Sequence, residues 1–269
     1  MNDGARVIRR PIAAGEDTTF IRLSDTIVSQ SIIAHVRKAT VGSVTTENCH
    51  PFQYQQWLLA HNGTLEQVAV LRERLLPDLP VALRKNIRGT TDSEFCFHVF
   101  LHHMSHEFGV DLAAPMTDID ILCKALRGTI QYLDDQARIE RAAVPSRLNF
   151  LITNGHVMAA TRRGHPLFVL ERSHQSDVTG MLGPQALQSG LSMGLRLLLE
   201  EDDEAVPPHS VLIASEPISA EPWHAVPQDS IVLVDDHSRV RVEELASLSK
   251  SEMEALERFI LERRQPRLM

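Results

Sequence analysis

The chain has 269 residues, of which 43% are hydrophobic and 23% charged, and its formal net charge is -8. This balance is typical of a globular protein, and the acidic surface argues against a general nucleic-acid or anionic-membrane binder. The three cysteines have no framework spacing, and no segment has the length of a signal peptide or membrane span, so a cytoplasmic protein with free thiols is expected.

The first elements in chain order are predicted strands. A short β-like run covers 5–12, and the apolar, β-branched segment 29–37 has the composition of a buried strand that ends at Arg37. Residues 55–61 predict a second buried strand. The N-terminal part of the chain is therefore expected to begin with sheet.

Helices are predicted next. Thr64 and Gln67 have the spacing of a capping box, and so do Thr91 and Glu94, so each pair is expected to start a helix. Apolar residues at helical spacing predict a third helix over 117–140.

The last part of the chain again predicts strands. Segments 148–153 and 156–161 flank Asn154-Gly155, which indicates a hairpin with a type I′ turn. Further strands are predicted at 166–171, 210–215 and 230–236, and a last amphipathic helix at 249–264. Strands, helices and strands without regular alternation favour an α+β layered domain, assigned to 1–240, with a helical extension at 241–269.

Three short segments carry residues suited to binding an amino acid. The first, AHVRKATVG (34–42), presents Arg37, whose planar guanidinium fits a carboxylate, although a surface ion pair would look the same. The second, LLAHNGT (58–64), contains Asn62 and Gly63, which form either a turn between a strand and a helix or an oxyanion site. The third, RGTTDSE (88–94), contains Asp92, which either favours a helix start or receives an ammonium group.

The order of these motifs resembles a known family. AHVRKAT, ENCHPF (47–52), AHNG (60–63) and TDSE (91–94) follow one another as in the class II glutamine amidotransferases, which are N-terminal-nucleophile hydrolases. Segments 147–162 and 211–227 are similar to the compact single-domain branch, which includes gamma-glutamyl-hercynylcysteine sulfoxide hydrolase. The resemblance implies a four-layer αββα sandwich, here N-terminally incomplete.

The resemblance also implies a substrate and site roles. The substrate is expected to be glutamine or a γ-glutamyl compound, hydrolysed at its side-chain amide. The implied roles are Arg37 for the α-carboxylate, Asp92 for the α-ammonium, Asn62 and Gly63 for the oxyanion hole, His50 for the pocket wall and Thr40 as support of the arginine strand.

The chain departs from the family at its start. Family members begin with a cysteine nucleophile, whereas this sequence begins Met1-Asn2, so no hydrolysis by the family mechanism is expected as written. A misassigned or truncated start, a second chain that supplies the missing piece, and a catalytically dead binding or scaffold protein remain as explanations. Cys49 is disfavoured as a substitute because it lies in a non-nucleophilic family segment, and Cys96 and Cys123 are expected in the core.

Other partners and cofactors are not indicated. His98, His102 and His106 form a helical stripe, but the glutamate of a HExxH zinc motif is missing, so a packed or solvated stripe and no metal are expected. The absence of a nucleotide fingerprint favours stand-alone hydrolysis of a small molecule without cofactor, nucleic acid or membrane. A homodimer through the C-terminal helix is the expected assembly of a binding-only protein.

Overall fold

The computed structural model describes residues 5–24, 26–37, 43–172 and 210–245. Within these residues there are five α-helices: α1 (Thr18–Ser24), α2 (Val68–Leu75), α3 (Val81–Asn86), α4 (Asp92–His106) and α5 (Ile119–Ile139). The strands are β1 (Phe52–Tyr54), β2 (Trp57–Thr64), β3 (Arg147–Thr153), β4 (Met158–Arg162), β5 (Phe168–Arg172), β6 (Ser210–Ala214), β7 (His224–Ala225), β8 (Ser230–Val234) and β9 (Val240–Glu244).

The strands form two antiparallel sheets. The larger sheet has the order β1-β2-β3-β4-β8-β9, and the smaller one has the order β6-β5-β7. The longest pairing joins β2 to β3 through seven residue pairs, from Leu58 opposite Thr153 to Thr64 opposite Arg147. This pairing fixes the end of β2, where the candidate site lies.

Burial of β8 shows how the layers stack. All five of its residues are buried, because both faces of the larger sheet are covered. Ile231 and Leu233 join the core formed with the helices, whereas Val232 and Val234 join a second core that includes residues of the smaller sheet. The continuous apolar run in the sequence therefore reflects a strand between two cores.

Helices α4 and α5 form the layer on one face of the larger sheet. Phe95, Phe97 and Phe100 of α4 are almost completely buried in the main core. Helix α5 begins where the Asp118 side chain accepts the N–H groups of Asp120 and Ile121, at 2.9 and 3.0 Å. The predicted helix at 117–140 is thus confirmed with nearly the expected bounds.

The fold prediction is confirmed at the level of a mixed α and β domain with layered antiparallel sheets. The described residues show a helical layer, the larger sheet and the smaller sheet in succession. β9 belongs to the larger sheet and extends past the expected domain boundary at residue 240, while 246–269, with the predicted last helix, lie outside the described residues. No helix of the described part combines the length and apolar character needed to cross a membrane.

An ionic cluster fastens β9 to α5. Arg127 Nη2 donates to Glu243 Oε2 at 2.7 Å, and Arg241 Nε lies 2.8 Å from Glu243 Oε1. Arg241 also pairs with Asp120 at the start of α5. The polar face of this edge strand is therefore matched to charges on the helix layer.

Two predicted strands are wrong. The structure assigns no strand to the described parts of 5–12 or 29–37. In the second segment Ile32, Ala34 and Val36 are exposed, so its apolar residues do not fill the core. Composition alone suggested burial that the chain does not achieve there.

The first predicted capping box is also wrong. Thr64 is the last residue of β2, and α2 begins at Val68 after Gln67, which has a left-handed backbone with φ 57°. Long-range pairing with β3 keeps Thr64 extended, so the local helix signal is overridden.

The hairpin between β3 and β4 is confirmed, but its turn type is wrong. Thr153 pairs with Met158, which leaves four residues in the loop, and only Gly155 of the Asn-Gly pair has positive φ, at 91°. A type I′ turn requires positive φ at both central residues. Instead, Asn154 Oδ1 accepts the N–H groups of His156 and Val157.

Candidate active site

Asn62 and Gly63 lie inside strand β2, not in the predicted turn. They face Asn149 and Leu148 of β3 in the antiparallel ladder. Gly63 has φ +153°, and a Cβ atom there would lie 1.9 Å from the Arg147 carbonyl oxygen. Only glycine fits this close approach between the two strands.

The direction of the Gly63 N–H follows from the ladder. The N–H of Leu148 donates to the Arg163 carbonyl at 2.9 Å, on the β4 side of β3. Because N–H and C=O groups of one strand residue point to the same side, Leu148 does not exchange hydrogen bonds with Gly63. The Gly63 N–H therefore points away from β3, past the end of the short strand β1.

Asp92 lies next to the end of β2. It is the first residue of α4, its side chain is buried, and its Oδ2 accepts the Leu65 N–H at 2.9 Å. Its Oδ1 accepts the Ser93 N–H at 2.9 Å. A carboxylate has about four acceptor positions, so these bonds orient Asp92 and leave capacity for a further donor. Since Leu65 is two residues after Gly63, the structure brings Asp92 and the Asn62-Gly63 pair together.

The cap of α4 confirms part of the second predicted capping box. Thr91 Oγ1 accepts the Glu94 N–H at 3.2 Å. The Glu94 carboxylate does not return to Thr91 but accepts the N–H groups of Arg88 and Gly89, at 2.9 and 2.6 Å. The loop before Asp92 is therefore held by the first turn of its own helix.

His61 joins the three elements around this point. Its Nε2 donates to the Arg147 carbonyl of β3 at 3.0 Å, so in the neutral ring Nδ1 accepts from Ser93 Oγ of α4 at 2.9 Å. Burial lowers the pKa of His61, against the opposing effect of the nearby Asp92 carboxylate. The neutral ring fixes β2 relative to both β3 and α4.

Arg37 lies in a chain segment without regular structure, not at the end of a strand. Its side chain is partly buried, and Nη1 donates to the Ser43 carbonyl at 3.2 Å. Thr40, the predicted support of this arginine, lies outside the described residues.

His50 and His35 connect the Arg37 side to β2. Their ring centroids are 4.1 Å apart, and His50 also packs against Phe52 at 4.8 Å. Burial lowers the pKa of His50 to about 2 and that of His35 to about 4, and the Arg37 charge contributes to both. His35 also hydrogen-bonds the backbone of His61, which connects these buried, neutral rings to the strand of Gly63.

A surface cavity of about 460 Å³ lies nearby and contains none of the predicted site residues. It is lined by Ala69, Arg72, Glu73, Leu76, Pro77 and Arg84. Arg72 connects it to the loop before Asp92, because its guanidinium donates to the carbonyls of Gly89 and Thr91, at 2.8 and 3.3 Å.

None of the three cysteines is an activated thiol. Cys49 Sγ donates to the Thr45 carbonyl at 3.2 Å, and burial raises its pKa. Burial also raises the pKa of Cys96 well above its usual range and that of Cys123 to about 11. Since the thiolate is the reactive form, a Cys49–His50 catalytic pair has no support in this geometry.

We expect these thiols to be unreactive in the folded protein. At pH 7 a disulfide reagent should modify them at least about tenfold more slowly than in concentrated urea, where all three become accessible. Absorbance of the released thiolate measures the rate. A fast reaction mapped to Cys49 by mass spectrometry would contradict this assignment.

The predicted histidine stripe of α4 is partly packed and partly solvated. His98 is buried and contacts the Glu94 carbonyl and Asn86, His102 is half-buried, and His106 is exposed. Among the described residues no group of three or more histidine, cysteine or acidic side chains is arranged to hold a metal ion.

Two further residues of the site are not predicted by the motifs that contain them. His61 lies inside AHNG and Asn48 inside ENCHPF. Both are buried polar side chains, with 4% and 2% exposure. A polar residue within a buried motif usually has hydrogen-bond partners, and this was the available signal.

Comparison with known proteins shows the family to which this chain belongs. The model for glutamine amidotransferases class-II matches residues 1–257, and the chain therefore belongs to this family. The fold agrees with a solved glutamine aminotransferase class-II domain protein from Silicibacter pomeroyi, with a TM-score of 0.58 and 16% identity over 89% of this chain and 85% of that one.

Curated relatives are similar over most of this chain. A probable glutamine amidotransferase, DUG3, of Saccharomyces cerevisiae is 27% identical over 86% of this chain and 64% of its own length. The gamma-glutamyl-hercynylcysteine sulfoxide hydrolase of Mycobacterium tuberculosis is 30% identical over 64% of this chain and 60% of its own length. The chain thus spans less than two thirds of the length of these relatives.

Proposed function

We propose that this chain binds the amino-acid head of glutamine or of a γ-glutamyl compound and presents its side-chain carbonyl for amide hydrolysis. Asp92 receives the α-ammonium, Arg37 the α-carboxylate, and the Gly63 N–H with the Asn62 side chain the developing oxyanion. His50 forms a neutral wall, and Thr40 supports Arg37. The similarity to a relative named gamma-glutamyl-hercynylcysteine sulfoxide hydrolase supports this substrate class.

One observation carries the proposal. The Asp92 carboxylate accepts the N–H of Leu65, immediately beyond the strand that presents Gly63. An anion for the ammonium group and an oxyanion donor are thereby fixed on the same short stretch of backbone. Binding of both ends in one orientation is the requirement for positioning a scissile amide.

The oxyanion assignment has a physical basis in the direction of the Gly63 N–H. That group points away from β3, so the ladder with β3 does not consume it, and it lies on the same side of β2 as the His61 carbonyl that His35 contacts. A tetrahedral intermediate held there would receive a hydrogen bond that the planar substrate amide uses less fully. Such a donor is typically worth about 3–4 kcal/mol in the transition state.

A binding-only domain is the second candidate function. It is favoured by the three buried thiols, whose raised pKa values leave no thiolate to attack the amide. A nucleophile for hydrolysis has to be a residue other than these cysteines. On this second proposal, the chain binds L-glutamine without releasing ammonia. Ammonia release that disappears in Cys49→Ala would overturn this expectation.

Calorimetric titration with L-glutamine tests the binding site. Arg37→Ala and Asp92→Asn should each weaken binding about 10- to 100-fold, because each removes one charge-assisted contact to the zwitterion. D-glutamine should bind more weakly than L-glutamine to the unchanged protein. Arg138→Ala and Asp135→Asn, on the surface of α5, are the matched controls and should bind normally. Equal affinities of all variants would refute the proposed site.

A further inference from the structure

Asn48 is a buried side chain between Ser43, whose carbonyl Arg37 contacts, and the loop before Asp92. Its Oδ1 accepts the Thr90 N–H at 2.8 Å, two residues before Asp92. Its Nδ2 donates to the Ser43 carbonyl at 3.0 Å and lies 3.3 Å from Thr90 Oγ1. One amide group therefore joins Ser43 to the loop before Asp92.

The Ser43 carbonyl is shared with the candidate cation. Arg37 Nη1 donates to the same oxygen at 3.2 Å. A short path of hydrogen bonds thus runs from Arg37 through Ser43 and Asn48 to Thr90, next to Asp92.

We propose that Asn48 is a positioning residue that sets the separation of the Arg37 and Asp92 side chains for a zwitterionic ligand. This inference rests on the proposed function and extends it to a residue that touches no substrate. An asparagine amide suits the position because it presents one acceptor and two donors in a plane. Neither an aspartate nor a leucine of similar size supplies both halves of the bridge.

The two segments that Asn48 joins, at Ser43 and at Thr90, are not held equally by other contacts. The Asp92 side is also fastened by Arg72, whose guanidinium donates to the Gly89 carbonyl, and by Glu94, which accepts the Gly89 N–H. A Cβ atom on Gly89 would lie 2.3 Å from Asn48 Oδ1, so the amide is packed directly against this loop. Loss of Asn48 should therefore displace mainly the Ser43 and Arg37 side.

The test compares ligands that use one or both charges. In Asn48→Ala the affinity for L-glutamine should fall about tenfold, the typical consequence of losing a buried hydrogen-bond partner. Affinity for glutaramate, which has the carboxylate but no ammonium group, should change less than about twofold, because this ligand does not have to reach Arg37 and Asp92 at the same time. Ligand-detected NMR titration measures both.

Asn154→Ala is the matched control. Asn154 is 4% exposed and, like Asn48, bonds through both ends of its amide, to Met116 and to the hairpin backbone. It lies in the loop between β3 and β4, and its loss should leave the ratio of the two affinities unchanged. If Asn48→Ala does not fold, Asn48→Asp keeps the acceptor for the Thr90 N–H, removes the donor to the Ser43 carbonyl and should give the same selective loss.

The outcomes separate the two proposals. If the unchanged protein binds L-glutamine but Asn48→Ala behaves as Asn154→Ala does, the positioning role is refuted and the binding site stands. An equal loss for both ligands also refutes it, because that result indicates general damage. If the unchanged protein does not bind L-glutamine, both proposals are overturned.

Discussion

Gly63→Ala is expected to destabilise the protein by about 3–5 kcal/mol and to abolish glutamine binding. The new methyl group would lie 1.9 Å from the Arg147 carbonyl oxygen and 2.9 Å from His61 Nε2, and the φ of +153° is unfavourable for alanine. β2 and β3 must then separate next to the Gly63 N–H, which is the proposed oxyanion donor, and next to the Leu65 N–H, which orients Asp92. Urea unfolding followed by circular dichroism measures the loss.

Gly128→Ala is the control for this prediction. Gly128 lies within α5, and a Cβ atom there would meet nothing within 4 Å. Because alanine favours a helix, this variant should be more stable by about 0.5–1 kcal/mol. A Gly63→Ala protein as stable as the unchanged one would show that the two strands are not this close.

Glu107→Gln is expected to stabilise the protein above pH 7 and to change little below pH 4.5. Burial raises the pKa of Glu107 from its usual 4.5 to about 7. Between these values the unfolded chain releases the proton while the folded protein keeps it, so wild-type stability falls as the pH rises. The loss is about 1.4 kcal/mol per pH unit and about 3 kcal/mol in total, and glutamine avoids it.

The neighbouring histidine does not compensate the charge of Glu107. His103 Nε2 lies 3.6 Å from the Glu107 carboxyl group, but burial lowers the pKa of His103 to about 3, so the ring is neutral. His103 Nδ1 donates to Thr129 Oγ1, which itself donates to the Ala125 carbonyl. His103 and Glu107 are therefore close together but do not form an ion pair at neutral pH.

Urea unfolding at pH 4.5, 6 and 8 measures this effect. The exposed Glu73→Gln is the control and should shift the unfolding free energy by less than about 0.5 kcal/mol at each pH. A difference between Glu107→Gln and the wild type that stays constant with pH would contradict the assignment of a buried, neutral carboxyl group.

Local sequence signals predicted the fold where packing agrees with them. The helix at 117–140 has apolar residues at helical spacing, and the structure gives nearly the same bounds. The strand at 230–236 is an apolar run that the two cores require. In both cases the local preference and the tertiary environment favour the same structure.

The wrong predictions concern residues whose local structure depends on contacts with distant parts of the chain. Asn62-Gly63 has the composition of a turn and Thr64 that of a helix cap, but the seven-residue ladder with β3 keeps all three extended. No property of residues 58–64 alone reveals a partner more than eighty residues later. Segment 29–37 shows the reverse, since its strand-like composition finds no partner strand among the described residues.

The sequence predicts which residue types form the candidate site better than it predicts their arrangement. Arg37, Asp92, Asn62 and Gly63 were selected from motifs, and the structure links them through a connected set of contacts. The sequence does not predict the hydrogen bonds that join the segments of the site. These are the bonds of the buried Asn48 amide to Ser43 and Thr90 and the bond of His61 to the Arg147 carbonyl. Their roles in substrate binding stay predictions until ligand binding is measured.

The burial of β8 on both faces affects how its pairing register in the sheet is specified. A slip of β8 by one residue would exchange Ile231 and Leu233 for Val232 and Val234, so apolar side chains would still fill both cores. Hydrophobicity therefore discriminates poorly between the correct alignment and the shifted one. In β9, by contrast, the same slip would carry Glu243 away from Arg127 and Val240 away from the second core, so both contacts favour the native alignment of this edge of the sheet.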